Sequence, residues 1–239
     1  GTFQDRVATL NITGDSDVTI KSIDTTDADI SGLVINHVGT GTLTITGGSD
    51  ALELNNTANL TFTGTGDIVL DTDEGAGNNG IEGSSLRTLN ASGLSGDLTL
   101  GVIEDIGNAA FTFTAGTGVT TATLIDNDLD STNGTPMNTS DDTAGWVIDY
   151  TNAAAGSELR LDADFGAAVD GSKLSIHMGP NGTLFIDQSM DLSDLVLEIS
   201  GDLPIVLADG AILTLTAAQA DGLTIIAGPD TGGAGFTGL

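Results

Sequence analysis

One short pattern returns along this chain: an apolar residue, a polar one, a second apolar, another polar, then a small residue. It reads Leu10-Asn-Ile12-Thr-Gly14, Leu43-Thr-Ile45-Thr-Gly47, Leu60-Thr-Phe62-Thr-Gly64 and Phe111-Thr-Phe113-Thr-Ala115. It comes back late as Leu197-Glu-Ile199-Ser-Gly201 and Leu213-Thr-Leu215-Thr-Ala217. A period of two predicts strands with one buried face and one face of hydroxyls. A Gly and often an Asp follow, then a second alternating run such as Val18-Thr-Ile20, Leu52-Glu-Leu54 or Ile68-Val-Leu70. Helix signals are almost absent, and the segment from Ala217 to Gly222 is the one predicted helical turn.

Short strands punctuated by Gly/Asp turns predict an all-β chain. The expected architecture is a β-solenoid, a β-helix-like stack of short strands, with β-sandwich modules as the alternative. The interval from Leu43 to Leu60 fits one coil of such a stack, although other intervals are irregular. A sandwich would use the same alternation with longer strands and more aromatic corners. The polar stretch 127–144 is the expected internal boundary, separating a solenoid-like module (1–126) from a second β module (145–239) that continues or restarts it. The sole Trp and the sole Tyr, Trp146 and Tyr150, lie at the start of that second module.

Composition sharpens this picture. Apolar residues make up 39% of the 239 residues, and only 4% are aromatic, so thin aliphatic layers are expected. Thirty-four acidic residues against five basic ones give a formal charge of −29, which is self-repulsive above the carboxylate pKa values. Such a chain needs salt, bound cations or a basic partner to stay compact. Nucleic acid and anionic membranes, which demand basic patches, are excluded as expected partners. With no cysteine there is no disulfide framework and no thiolate metal site. No apolar run reaches the length of a membrane span, and no secretory signal opens the chain, so the expectation for an exported protein is a removed signal or another export route. Asn11, Asn59 and Asn181 begin sequons for N-glycosylation.

Four acidic clusters have the oxygen density that calcium takes, six to eight hard ligands. They are Asp24, Asp27 and Asp29; Asp71, Asp73 and Glu74 running into Asn78 and Asn79; Asp126, Asp128 and Asp130; and Asp162, Asp164 and Asp170. The set at Asp126 is the first choice. It opens like an EF-hand loop but lacks the central Gly and the closing Glu. The run from Gly75 to Ile81 partly matches a calcium-binding nonapeptide, with Asn where Asp is expected. Asp and Asn also favour solvated turns, which is the plainer reading of each cluster. His37 and His177 are far apart and without companion ligands, so each reads as a surface or satisfied strand histidine. Gly14-Asp15-Ser16 reads as a turn, and no nucleophile elbow, phosphate loop or dinucleotide fingerprint occurs. Arg160, two residues before Asp162, is the basic residue nearest an acidic cluster, and the expectation is a protein without catalytic residues. Outward Thr ladders of the kind that bind ice are weakened by their irregular spacing; Thr is simply a good exposed strand residue.

The segments Asn90-Ala-Ser-Gly-Leu-Ser-Gly-Asp-Leu-Thr-Leu100 and Leu213-Thr-Leu-Thr-Ala-Ala-Gln-Ala-Asp-Gly-Leu-Thr-Ile225 resemble bacterial β-strand-repeat surface proteins. These include calcium-dependent surface-layer proteins and related β-roll adhesins. The resemblance is one of strand texture over most of the chain; true nonapeptide arrays and an anchoring module are lacking. It implies an extracellular or cell-surface protein whose work is assembly. The expected function is a self-assembling subunit of a filament or surface layer, with calcium bridging carboxylates and subunits joined through strand edges or the terminal segments (1–6 and 228–239). The expected partner is the chain itself, with cell-surface polysaccharide as a further candidate. The alternatives are a calcium-stabilised adhesin or carbohydrate-binding module, with Trp146 and Tyr150 as the sugar platform, and a β-helix polysaccharide-acting enzyme using Arg160 and Asp162.

Overall fold

The computed structural model describes residues 6–25, 30–47, 50–70, 79–104, 110–124, 145–161, 174–193, 196–199 and 204–228. Every strand pairing among them is parallel. Parallel neighbours that alternate between two sheets define a β-solenoid and exclude the sandwich, which is built from antiparallel strands. The first sheet stacks β1 (Val7–Thr13), β4 (Gly32–Val38), β7 (Asn59–Gly64), β10 (Thr88–Leu94), β12 (Phe111–Thr114), β14 (Trp146–Tyr150), β16 (Leu174–Met178) and β19 (Val196–Ile199). The main path of the second sheet stacks β2 (Val18–Ile20), β5 (Thr42–Ile45), β8 (Asp67–Leu70), β11 (Leu98–Glu104), β13 (Thr120–Leu124), β15 (Glu158–Leu161), β17 (Thr183–Ile186), β20 (Pro204–Leu207) and β22 (Thr224–Ala227). A side row of β3 (Ile23–Asp24), β6 (Asp50–Glu53) and β9 (Asn79–Glu82) joins that sheet at β11, and β18 (Met190–Asp191) pairs with β21 (Leu213–Thr214). The pairs β12–β14 and β13–β15 carry both sheets across the predicted internal boundary, whose residues 127–144 lie outside the described ones.

Stacking converts sequence alternation into columns of like side chains. Ala8, Leu33, Leu60, Leu89, Phe113, Ile148, Ile176 and Leu197 are successive partners in the first sheet. From Leu33 to Ile176 this inward column is buried. Each such Leu, Ile or Phe contributes about 1.5–3 kcal/mol of burial. A second column runs Leu10, Ile35, Phe62, and farther along Tyr150 beside Met178. Phe113 meets the ring of Tyr150 edge-on at 5.3 Å, and Phe111 meets Trp146 at 5.0 Å, so four of the aromatics form two buried pairs between neighbouring coils.

Successive coils differ in length. Bonded partners are 25 residues apart at Asn11 and Asn36, 30 at Asp67 and Asp97, 37 at Thr120 and Ser157, and 21 at His177 and Glu198. The interval from Leu43 to Leu60 is not a coil. Leu43 pairs with Val18 and Ile68 in the second sheet, whereas Leu60 pairs with Leu33 and Leu89 in the first. The recurring motif marks strands of all three sheets, which is why its spacing is irregular.

The corner between the two main sheets explains the Gly and Asp that follow the motif. A Cβ at Gly39 would fall 1.8 Å from the Gly14 carbonyl oxygen, at Gly96 2.3 Å from that of Gly66, and at Gly118 2.1 Å from that of Gly96. Backbone therefore stacks on backbone there, and only glycine fits. The turning chain also leaves amides that a ladder would have satisfied, and aspartates take them. Asp17 Oδ1 accepts from Thr42 N at 2.9 Å, Asp67 Oδ1 from Asp97 N at 2.8 Å, and Asp97 Oδ1 from Val119 N at 2.8 Å.

The predicted helical turn is present as α1 (Ala217–Ala220). Thr216 and Gln219 form a reciprocal capping box, and Gln219 Nε2 donates to Leu192 O at 2.7 Å, tying the turn to the coil beneath. In chain order α1 stands between β21 and β22, where earlier coils place a first-sheet strand.

Candidate functional site

The ends of the stack differ from its middle. In β5 and β8 the inward residues Leu43, Ile45, Ile68 and Leu70 are wholly buried. Their partners in the first coil, Val18 and Ile20, are only half-buried, as are Ala8, Leu10 and Ile12 of β1, and Val7 is 60% exposed. At the other end Ile225 and Ile226 of β22 are 49% and 46% exposed, and Leu213, Leu215 and Leu223 are half-buried. Among the described residues β1, β2 and β22 each stand at the end of their sheet's order, paired on one side only. These edges present backbone donors and acceptors beside apolar side chains, the combination that recruits another strand.

The outer faces carry three polar arrangements. On the first sheet Asn36 Nδ2 donates to Asn11 Oδ1 at 3.1 Å, and Thr63 Oγ1 donates to Asn36 Oδ1 at 3.0 Å, a side-chain ladder across three coils. Farther along the same face Asp149, His177 and Glu198 are successive partners, with His177 Nδ1 2.9 Å from Glu198 Oε2. On the second sheet Arg160 bridges Asp187, at 2.8 Å, and Glu158, at 3.1 Å, and its guanidinium lies 4.9 Å from the Phe185 ring centre. Burial pulls the Arg160 pKa down, but Asp187 and then Glu158 outweigh it and hold it above its ordinary value. The bridge spends this cation on two carboxylates, so Arg160 is placed as a clip between coils.

Most of the predicted ligands fall elsewhere. Asp71, Asp73, Asp126, Asp128, Asp130, Asp162 and Asp164 all lie outside the described residues, as do Asp27, Asp29, Glu74, Asn78 and Asp170. The terminal segments 1–5 and 229–239 lie outside them too. Among the described residues no group of three or more His, Cys, Asp or Glu is placed to hold a metal ion. Among those residues, too, no helix is long and apolar enough to cross a membrane.

One expectation about surface residues is corrected. Trp146 and Tyr150 cannot stack on a sugar from solvent, because both point inward and are 3% and 1% exposed. Burial, and secondarily the Glu158 carboxylate, push the Tyr150 hydroxyl well above its ordinary pKa, and that hydroxyl has no hydrogen-bond partner among the described residues. Of the two readings of His37, surface or strand, it is the strand histidine, buried in β4. Its ring lies under Gly66 with Nδ1 3.0 Å from Asp67 O, a contact that puts the proton on Nδ1, while Nε2 is buried without a partner among the described residues. Its carbonyl also accepts from Thr65 N and Gly66 N, so this one residue holds the next coil's turn through backbone and ring. Near the far end two bonds from Ser193, one from its side chain and one from its backbone, hold the Asp191 carboxyl below its ordinary pKa. Compared with known proteins, this chain matches no family model, no curated protein and no solved structure.

Proposed function

We propose that this protein is a structural subunit that self-associates end to end into an extracellular filament or surface layer, with calcium neutralising and bridging its carboxylates. The observation that carries the reading is the contrast in burial: the same alternating strands that are sealed in the middle coils are half-open in the first coil and at β22. A stack of parallel strands extends by adding another parallel strand, and a head-to-tail contact of that kind does not close on itself. The net charge of −29 opposes such contact between like subunits, which is the part assigned to calcium.

The test is particle size in chelator and then in millimolar calcium, by light scattering with electron micrographs of both samples. Growth into ordered fibres or sheets on calcium addition is the expected result. A persistent single subunit that gains only thermal stability would replace the reading with a calcium-stabilised binding module, and no response would remove calcium from it.

A further inference from the structure

The geometry points to Asn181 as a site of spontaneous deamidation, a chemical ageing point set in the turn between β16 and β17. The sequence contains three Asn-Gly pairs, at Asn79, Asn133 and Asn181. Asn133 lies outside the described residues. The other two differ in their backbone setting, although the glycine that follows, Gly80 or Gly182, is buried in both. Gly179-Pro180-Asn181-Gly182 is a tight turn with Pro180 and Asn181 exposed. It is closed by Gly182 N donating to Gly179 O at 3.4 Å, close to the limit for a hydrogen bond. The Asn181 side chain makes no hydrogen bond to a described residue. Asn79, by contrast, belongs to β9, which pairs with β6 on one side and β11 on the other. A Cβ on the buried Gly80 would fall 1.7 Å from Leu100 O, so the backbone there lies directly against that of β11.

The reaction needs only base and water. The Gly182 backbone nitrogen, losing its proton, attacks Cγ of Asn181. The new C–N bond closes a five-membered succinimide while the Cγ–Nδ2 bond breaks, and the amide nitrogen leaves as ammonia with the proton returned to it. Water then opens the ring at Cγ to give aspartate, or at the α-carbonyl to give isoaspartate; nothing is oxidised or reduced. Gly182 has no side chain to hinder the attack. The Asn79 segment is held in its ladder and must first open.

The consequence falls on contact between coils. Asn181 O accepts from Gly156 N at 3.2 Å, and Thr183 N donates to Ser157 O at 2.9 Å, so this turn is stacked on the turn of the preceding coil. Isoaspartate reroutes the chain through Cγ, displaces the carbonyl that Gly156 uses, and adds a carboxylate to an already acidic surface.

The experiment is incubation of the folded protein in mildly alkaline buffer, with a urea-unfolded sample in parallel. Peptide mapping by mass spectrometry and isoaspartate detection are applied to both. In urea the peptides containing Asn79 and Asn181 both convert. In the folded protein Asn181 converts, while Asn79 is at least about tenfold slower, as the cost of local opening requires. Asn181→Gln abolishes the product at that turn. Equal rates at the two sites in the folded protein, whether both fast or both slow, would overturn the assignment.

Discussion

Val18-Thr-Ile20 in the first coil and Leu43-Thr-Ile45 in the second have the same alternation and are direct partners in the second sheet. Leu43 and Ile45 are completely buried, whereas Val18 and Ile20 are only half so. Alternation decides which way a side chain points; a coil on each side decides whether it is sealed. The same difference separates Ile205, buried in β20, from its partner Ile225, half-exposed in β22. In a repeating stack stability is a sum of coil and neighbour terms, so a coil with one neighbour is the weaker by construction.

Truncation within one column gives the largest effect. Ile35 and Leu10 are partners, one wholly buried and one half-buried. Ile35→Ala is expected to cost about 3–4 kcal/mol and Leu10→Ala about 1 kcal/mol, from the midpoint of urea unfolding. Equal losses would mean that the first coil is sealed by something the described residues do not include.

The sheet corners give the next contrast. Gly118→Ala forces a Cβ to 2.1 Å from Gly96 O, and a cost of about 3 kcal/mol is expected. Gly156, at φ +92°, has nothing within 4 Å of its Cβ position, so Gly156→Ala pays only the backbone term of about 1–2 kcal/mol. Reversal of that order in thermal unfolding would show that the corner can part without loss.

Arg160→Met removes the cation between Glu158 and Asp187 and leaves two carboxylates side by side. These side chains are 13–29% exposed, and a loss of about 1–2 kcal/mol is expected, smaller at high salt. A loss unchanged by salt would assign the effect to lost packing on Phe185 instead.

The smallest effect is at Tyr150. Tyr150→Phe removes a buried hydroxyl with no described partner and is expected to be neutral or to stabilise by up to about 1 kcal/mol. The tyrosine pKa is raised in the folded state, so its contribution is intact below the unfolded value near 10 and is lost as pH rises toward the folded one. Phenolate absorbance from this sole tyrosine should therefore appear together with unfolding and not before it.

The alternating pattern made the strands, the stacked architecture and the single helical turn at Ala217 legible in the sequence. Coil phase was not legible. The motif Leu-Thr-Ile-Thr-Gly specifies a strand and a turn but says nothing of which sheet the strand joins, and connections of variable length hide the repeat. For the same reason the clip from Arg160 to Asp187, 27 residues later, could not be read from local spacing. Trp146 and Tyr150 looked like surface aromatics beside a polar stretch. Their alternation, Trp-Val-Ile-Asp-Tyr, places both on the inward face with Ile148, and that signal was available. Of the candidate calcium clusters, only Asp24, in β3, and Asn79, in β9, fall among the described residues.

Self-association through open ends is most directly tested by placing a charge on one of them. Ile225→Lys puts an inward-facing cation at the half-exposed edge of β22, a device that blocks strand addition while leaving the coils behind it untouched. Wild-type and variant would be compared by sedimentation velocity in millimolar calcium, with circular dichroism as the check on folding. The account predicts that wild-type grows into large particles while Ile225→Lys, equally folded, stays at the size of one subunit. A variant that grows alongside wild-type, or a wild-type that does not grow at all, would contradict it.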